Sequence, residues 1–367
     1  MDEHYALILL SRCKGIGPVH AKTAINIFGS AAEIFNQSGI ELHQKCAWNS
    51  LQIEQVLSAR DSYGDSIIRD LQFIKDHGIN LIPFYDSRYP VRLKQIVDAP
   101  LLLYYKGEAP LNPSRTLAIV GTRKPSSHSL YLTQKFIEEA QSYGVQIISG
   151  LAYGIDICAH RGAIKTGLST LGILAHGLDQ IYPKAHKSTS NEMLEKGGLI
   201  TEMPLFAQLH PDLFPRRNRI IAGMSDAVVV VESKLIGGSM STAQIARSYD
   251  REVFAFPGNP SQGHNTGCNA LIKRQVAELI EDFSDVVKAM NWQNTNPKKE
   301  INQRDLFPKL SQDENTLLNT MTGKTLHIDE LLQYSGMPLH RITLSLLELE
   351  IKGVIKVLPG KYYQRLS

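Results

Sequence analysis

No hydrophobic run in this 367-residue sequence approaches the roughly 18 residues that argue for a membrane-spanning helix, so none is expected. The first twelve residues carry Asp2 and Glu3 and only six successive apolar positions, 5–10, which is short for the apolar region of a secretory signal. Cysteine is scarce. Cys13, Cys46, Cys158 and Cys268 are scattered without a C-x-x-C pair, which fits neither a disulfide framework nor a zinc site and suits a reducing cytoplasm. Charge of one sign is also missing: Lys+Arg 39 against Asp+Glu 36 leaves +3, so a polyanion has to be held by a local basic site and not by the field of the whole molecule. The dinucleotide fingerprint G-x-G-x-x-G and the P-loop G-x-x-x-x-G-K-[ST] are both absent, which argues against a nicotinamide cofactor and against ATP hydrolysis at such a loop. Without a Ser/His/Asp or Cys/His arrangement or a metal-spaced cluster, the chain shows no nucleophile and nothing to generate one; no enzyme activity, cofactor or metal is expected.

What is present is an average soluble composition, 43% hydrophobic and 20% charged, on a length that suits two or three domains. Three zones of different periodicity follow one another. Residues 1–85 place apolar side chains at helical spacing, as at Ile25, Phe28, Ala32 and Phe35, and predict a small all-α domain. Residues 86–290 alternate short apolar strands (101–105, 117–120, 145–148, 170–175, 199–201, 227–231 and 252–256) with helical segments, the pattern of an α/β domain with a mostly parallel sheet. Residues 291–310 are polar, contain two prolines and read as a linker. Residues 311–367 predict three helices and a hairpin turning at Pro359-Gly360, the winged-helix pattern. That last unit has six acids (Asp313, Glu314, Asp329, Glu330, Glu348, Glu350) and six bases (Lys324, Arg341, Lys352, Lys356, Lys361, Arg365), a balance that favours protein contact over the reading of a duplex groove.

Several segments carry chemistry. Lys14-Gly15-Ile16-Gly17-Pro18, followed by an amphipathic stretch containing Lys22, fits a helix-hairpin-helix turn whose glycines admit a phosphate to backbone N–H groups; a tight turn between two core helices fits as well. The strand ending at Val120 runs into Gly121-Thr122-Arg123, placing N–H donors and a guanidinium at the carboxyl edge of the sheet, where open α/β folds bind ligands. Ser149-Gly150 ends the next strand and leads to Asp156 and His160, one helical turn apart, a spacing that suits a metal or an acid/base pair; a structural role, Asp156 tied to backbone and His160 packed against the turn, is the preferred reading. Arg216, Arg217 and Arg219 open a helix whose dipole opposes them unless an anion is present, so phosphate binding is expected, with internal pairing to Glu232 or Asp226 as the competing reading. Gly237-Gly238-Ser239 enters another helix as a second phosphate cradle. Two such turns and an arginine cluster exceed one mononucleotide and suit a chain of phosphates.

GTR (121–123), SGLAYGIDICAH (149–160), GLDQIYP (177–183), FPRRNRIIAG (214–223), GGSMSTA (237–243) and FAFPGN (254–259) together resemble the DNA-processing protein A (DprA/Smf) family in order and spacing over nearly the whole chain. The resemblance implies an α/β, extended Rossmann-like domain with a mostly parallel sheet, preceded by a small SAM/helix-hairpin-helix-like domain and followed by a winged helix. It implies a cytoplasmic homodimer that binds single-stranded DNA without sequence readout and helps load a RecA-type recombinase during natural transformation. Matched residue by residue, the family pattern puts Gly121, Thr122, Arg123, Ser149, Gly150, Lys184, Arg217, Asn218, Arg219, Gly238 and Ser239 around the DNA; apart from that pattern, the N-terminal glycine turn makes Lys14, Gly15, Gly17 and Lys22 candidates for a second contact. His186 stands where the family's Y-P-x-x-N motif has Asn, Gly237 replaces a Ser, and Gln275-Val276 replace Gly-Ala. The alternative is a nucleotide phosphoribohydrolase-like enzyme on a related core, but Gln244 follows Thr242-Ala243 where such enzymes place a glutamate.

Overall fold

The computed structural model describes residues 1–260, 263–293, 310–321, 325–352, 354–358 and 360–365. Most of the expected linker, residues 294–309, lies outside the described residues. The chain divides into two compact units, Met1–Thr295 and Asn296–Ser367.

In the first unit, short apolar runs form the strands, those at the centre of the sheet buried on both faces. The strands are β1 (Asn80–Pro83), β2 (Leu102–Gly107), β3 (Thr116–Val120), β4 (Gln146–Ser149), β5 (Thr170–Ile173), β6 (Gly198–Thr201), β7 (Ala227–Val230), β8 (Glu252–Ala255) and β9 (Glu278–Leu279). They make one sheet in the order β1-β2-β6-β5-β4-β3-β7-β8-β9, with β1–β2 and β2–β6 antiparallel and every other pair parallel. Successive side chains leave a strand on opposite faces. Ala118 and Val120 of β3 therefore pack with Ile220, Ile221 and Ala243, while Leu117 and Ile119 pack with Phe136, Ile137 and Ala159. From β3 the chain builds outward through β4, β5 and β6, then returns to place β7 on the other side of β3. The reversal leaves a crevice beyond the carboxyl ends of β3 and β7, the place where doubly wound sheets hold ligands.

The N-terminal helices form a layer on the β1–β2 edge. Their apolar faces share a core with Leu81, Leu102, Tyr104 and Leu205. Local signals set their ends: Ser38 with Glu41, and Asn49 with Gln52, form capping boxes, and the Glu3 carboxylate accepts the N–H groups of Ala31 and Ala32 at 2.9 and 3.0 Å. Two strands differ from expectation. Asn80–Pro83 lies inside the segment read as all-α yet pairs with β2, and Glu278–Leu279 adds an edge strand. Four and two residues are too short to show a period of their own, and only pairing with a formed neighbour makes them strands.

The second unit contains helices Gln312–Thr320, Ile328–Ser335 and Leu339–Ile351 and the hairpin Ile355–Leu358 and Tyr362–Arg365, as the winged-helix pattern predicts. A further short strand, Thr325–His327, pairs with Tyr362–Arg365 and completes a three-stranded sheet. Its core is Leu317, Leu318, Leu331, Ile342, Leu346 and Ile355.

One glycine locks the sheet edge that faces the crevice. Gly154 precedes helix Ile155–Thr166 with φ 83°, and a Cβ there would lie 2.2 Å from the Thr122 carbonyl oxygen. Gly154→Ala is expected to cost about 2–3 kcal/mol through left-handed strain and displacement of the Thr122 turn. Urea unfolding with an unchanged m-value reads this; a change within about 0.5 kcal/mol of zero contradicts it.

Candidate nucleic-acid interface

The crevice is a cleft of about 850 Å³. Its near wall is the turn after β3. The Thr122 N–H donates to the Glu232 carbonyl at 2.8 Å, and the Ile155 N–H donates to the Thr122 carbonyl at 3.2 Å, so the turn is clamped between β7 and the next helix. Gly121 is required there, because a Cβ would meet the Ile155 side chain at 2.5 Å. Arg123 is left exposed, its guanidinium 5.5 Å from the centre of the Phe214 ring, and Tyr182 stands 6.0 Å beyond that ring. Ser126 caps helix Ser127–Ala140 and donates to Glu232 through both N–H and hydroxyl, at 2.9 and 2.7 Å. Burial would raise the Glu232 carboxyl, but hydrogen bonds from Ser129 and Ser126 outweigh it and hold the group below its usual range.

The opposite wall is the start of helix Gly238–Ser248. Ser239 is buried, its hydroxyl 2.8 Å from that of Ser233, while Gly238 is exposed to the cleft. Asn218 ties this wall to the floor by donating to the Gly238 carbonyl at 3.3 Å. Lys124 and Lys234 add two exposed cations to the lining, and His264 lies at its side. Counting the lining residues, Arg123, Lys124, Arg217 and Lys234 stand against Asp156 and Glu232, so the cleft is electropositive although the chain as a whole is nearly neutral.

The floor corrects part of the sequence reading. Arg217 does line the cleft, but the residue is only 6% exposed and its guanidinium is directed inward, donating to the carbonyl oxygens of Gly150 and Ile173 and, through Nε, to Asn218 at 3.2 Å. Its partners are strand-end carbonyls, not Glu232 or Asp226; Asp226 instead accepts from Arg92 at 2.5 Å. Gly150 is required by this approach, since a Cβ would lie 2.5 Å from the guanidinium nitrogens. Burial lowers Arg217 to about 10, against the pull of Asp156, so it remains a cation at neutral pH. Burial raises the Asp156 carboxyl, opposed chiefly by the charge of Arg217. Ser149 is fully buried and donates to the Ile119 carbonyl at 2.6 Å, below the floor. His160 is a core group, its Nδ1 2.7 Å from the Thr170 hydroxyl, and burial, then Arg217 and His186, push it down to about 3. His186 is buried too, with Nδ1 donating to the Leu151 carbonyl at 2.8 Å.

Three further expected contacts lie elsewhere. Arg219 turns to the far side of its helix, where it pairs with Glu202 and donates to the Asp98 carbonyl at 2.5 Å; a helix sends residues two apart to different faces. Lys184 is exposed on the short turn Lys184–His186 and does not line the cleft. In the N-terminal turn, Gly15 adopts φ 80° and Gly17 precedes helix Pro18–Phe28, but Lys22 is half-buried, donating to the Ala99 carbonyl at 2.6 Å with its ammonium 5.5 Å from the Phe84 ring centre. Lys22 is thus a tie between the helical layer and the sheet. Lys14 is exposed. Sequence reasoning passed over Lys124, Lys234, Phe214 and Tyr182 as site residues. The available signal was adjacency, since each stands within or beside a motif already singled out.

Arg217→Ala removes the partner of a buried acid and leaves two buried carbonyls without their donor, so the expected loss is of folding stability, about 3–5 kcal/mol. A variant with unchanged urea midpoint and weakened ligand binding contradicts this assignment. For His160 the folded pKa of about 3 lies below the unfolded value of about 6.5, so the unfolded state binds the extra proton. Its contribution is complete above pH 6.5 and is lost as pH falls from there toward 3. In an NMR titration the His160 ring is expected to stay neutral at pH 5; a midpoint near 6.5 contradicts its burial.

The comparisons with known proteins agree with this architecture. The family model for DNA recombination-mediator protein A matches residues 80–291, and the model for the DprA winged helix domain matches residues 304–361. The chain is 32% identical to Protein Smf of Escherichia coli over 342 residues, covering 90% of this chain and 86% of that protein. It is 38% identical over 202 residues to the DNA processing protein DprA of Streptococcus pneumoniae, 55% of this chain and 71% of that one. The X-ray structure of the S. pneumoniae protein superposes with a TM-score of 0.67 at 28% identity, covering 80% of this chain and 99% of that chain. A structure of DNA processing protein A from Helicobacter pylori, described for its single-stranded DNA binding mode, superposes with a TM-score of 0.54 at 26% identity, covering 59% and 97%. With the doubly wound sheet, the electropositive crevice and the winged helix in place, the chain belongs to the DNA recombination-mediator protein A family.

Proposed function

We propose that this protein binds single-stranded DNA in the β3/β7 crevice without reading its sequence, and that it acts as a recombination mediator by presenting the strand to a RecA-type recombinase during DNA uptake. The observation that carries this reading is the Arg123–Phe214–Tyr182 array in an electropositive cleft. Exposed Tyr182 and the partly exposed Phe214 offer rings to an unstacked base, and the cations track phosphates, a combination that suits single strands and makes no use of base edges. The related H. pylori protein, whose structure is described for single-stranded DNA binding, supports the same ligand class. Gly121, Thr122, Arg123, Lys124, Asn218, Lys234, Gly238 and Ser239 are the residues we assign to the strand, with Arg217 holding the floor beneath them.

We read the protein as cytoplasmic and as a two-fold homodimer, the form most homo-oligomers take. Among the described residues no helix is long and apolar enough to cross a membrane. The phosphoribohydrolase reading is not favoured. Gln244 occupies the position where that chemistry wants a carboxylate, and the Glu232 carboxylate in the cleft already accepts from Ser126.

Arg123→Ala is expected to weaken binding of a labelled oligo-dT about 10- to 150-fold, the loss of a charged hydrogen bond worth about 1.5–3 kcal/mol, with the urea midpoint unchanged. With three exposed cations on the strand, log K should fall against log salt with a slope of about −2. Fluorescence anisotropy on single-stranded and duplex probes at several salt concentrations measures both. A flat salt response, or equal binding of the Arg123 variant, refutes the crevice as the DNA site.

A further inference from the structure

A second cleft, about 740 Å³, opens on the other side of the helix that forms the crevice floor. Helix Leu213–Gly223 sends Phe214, Arg217 and Asn218 into the crevice, whereas Arg216, one residue along, lines the second cleft with its side chain 54% exposed. The two clefts therefore lie on different faces of the same helix. The far wall of the second is the turn at Ile16, Gly17 and Pro18, singled out in the sequence for phosphate and left unused by the crevice.

We propose that this cleft is a second subsite for the same single strand, taking an unstacked base between the helical layer and the loop that follows β6, with the adjoining phosphate on Arg216 and Arg69. The proposal rests on the crevice being the first site. Three observations point to a nucleotide. Phe206 is 58% exposed, an unusual state for a phenyl ring, and its ring meets Phe73 edge-to-face at 5.3 Å, making an apolar slot open to solvent. Its backbone is held in the left-handed region, φ 58°, with the N–H donating to Asp179 at 2.9 Å; a non-glycine residue is strained there, and the fold keeps the ring in place regardless. The charges at the slot are also complementary to an anion. Asp70 is taken up by Arg12 and Glu202 by Arg219, while Arg216, which touches Glu202 at 3.3 Å through Nε but is 54% exposed, and exposed Arg69 present cations to the lining. An aromatic wall beside arginines, on the other face of the helix that floors the crevice, is what a strand continuing past the crevice would meet.

Phe206→Gly separates a contact from a structural role, because glycine suits the left-handed backbone and should leave the melting temperature equal or higher. The full chain would be titrated by anisotropy against oligo-dT of about 4 nucleotides, enough for one cleft, and of about 20, enough for both. Phe206→Gly is expected to weaken the longer probe about 5- to 100-fold and leave the shorter one unchanged, with Phe206→Trp restoring the longer. Equal loss on both lengths, or no loss on the longer, overturns the second subsite. Arg123→Ala tests the first site separately, since it should weaken both lengths. If that variant binds both like the wild type while Phe206→Gly still weakens the longer, the crevice reading fails and the slot is a DNA site in its own right.

Discussion

A buried guanidinium organises the candidate site. Arg217 gathers the carbonyl ends of β4 and β5, neutralises Asp156 and orients Asn218, which in turn holds the start of helix Gly238–Ser248. A charge this far from water is tolerated only when its donors are matched and an opposite charge is near. Several features of the surroundings answer that demand. Gly150 has no side chain because the guanidinium occupies the space, Asp156 stays buried despite the desolvation that opposes its ionisation, and His160 is kept neutral beside the cation.

With the floor so held, the exposed groups are free for a ligand. Arg123 lies over the Phe214 ring, and the Glu232 carboxylate accepts from Ser126 at the cap of the neighbouring helix. The strand-end turns, the two helix starts and the ring array all converge on the point where the sheet reverses direction, so the geometry comes from topology and not from any one motif. The helical layer is tied to the same body by Lys22 and by the core it shares with β2, which sets its glycine turn at a second cleft beside the arginine helix.

Much of the fold was legible from period alone. Runs such as Ala-Val-Val-Val at 227–230 are β-branched and continuous, as a doubly covered parallel strand requires, and the strands expected from residue 101 onward all form. The site was legible where backbone chemistry is local: the glycine turn at 121–123 and the helix entry at 237–239 both reach the crevice. It was not legible for the arginines. Arg216, Arg217 and Arg219 look alike in sequence, yet one lies half-exposed at a second cleft, one is sealed beneath the crevice and one is paired with Glu202.

The sequence by itself determined the helices and the strands of the sheet's centre, where glycine must stand and which family motifs occur, because these depend on neighbours within a few residues; the short edge strands 80–83, 278–279 and 325–327 came only from pairing. Tertiary structure alone decided which cations remain available to an anion. That depends on what lies across the sheet, such as the carbonyl of Ile173 for Arg217, Glu202 for Arg219 and the Ala99 carbonyl for Lys22, and such partners lie from 17 to 77 residues away along the chain.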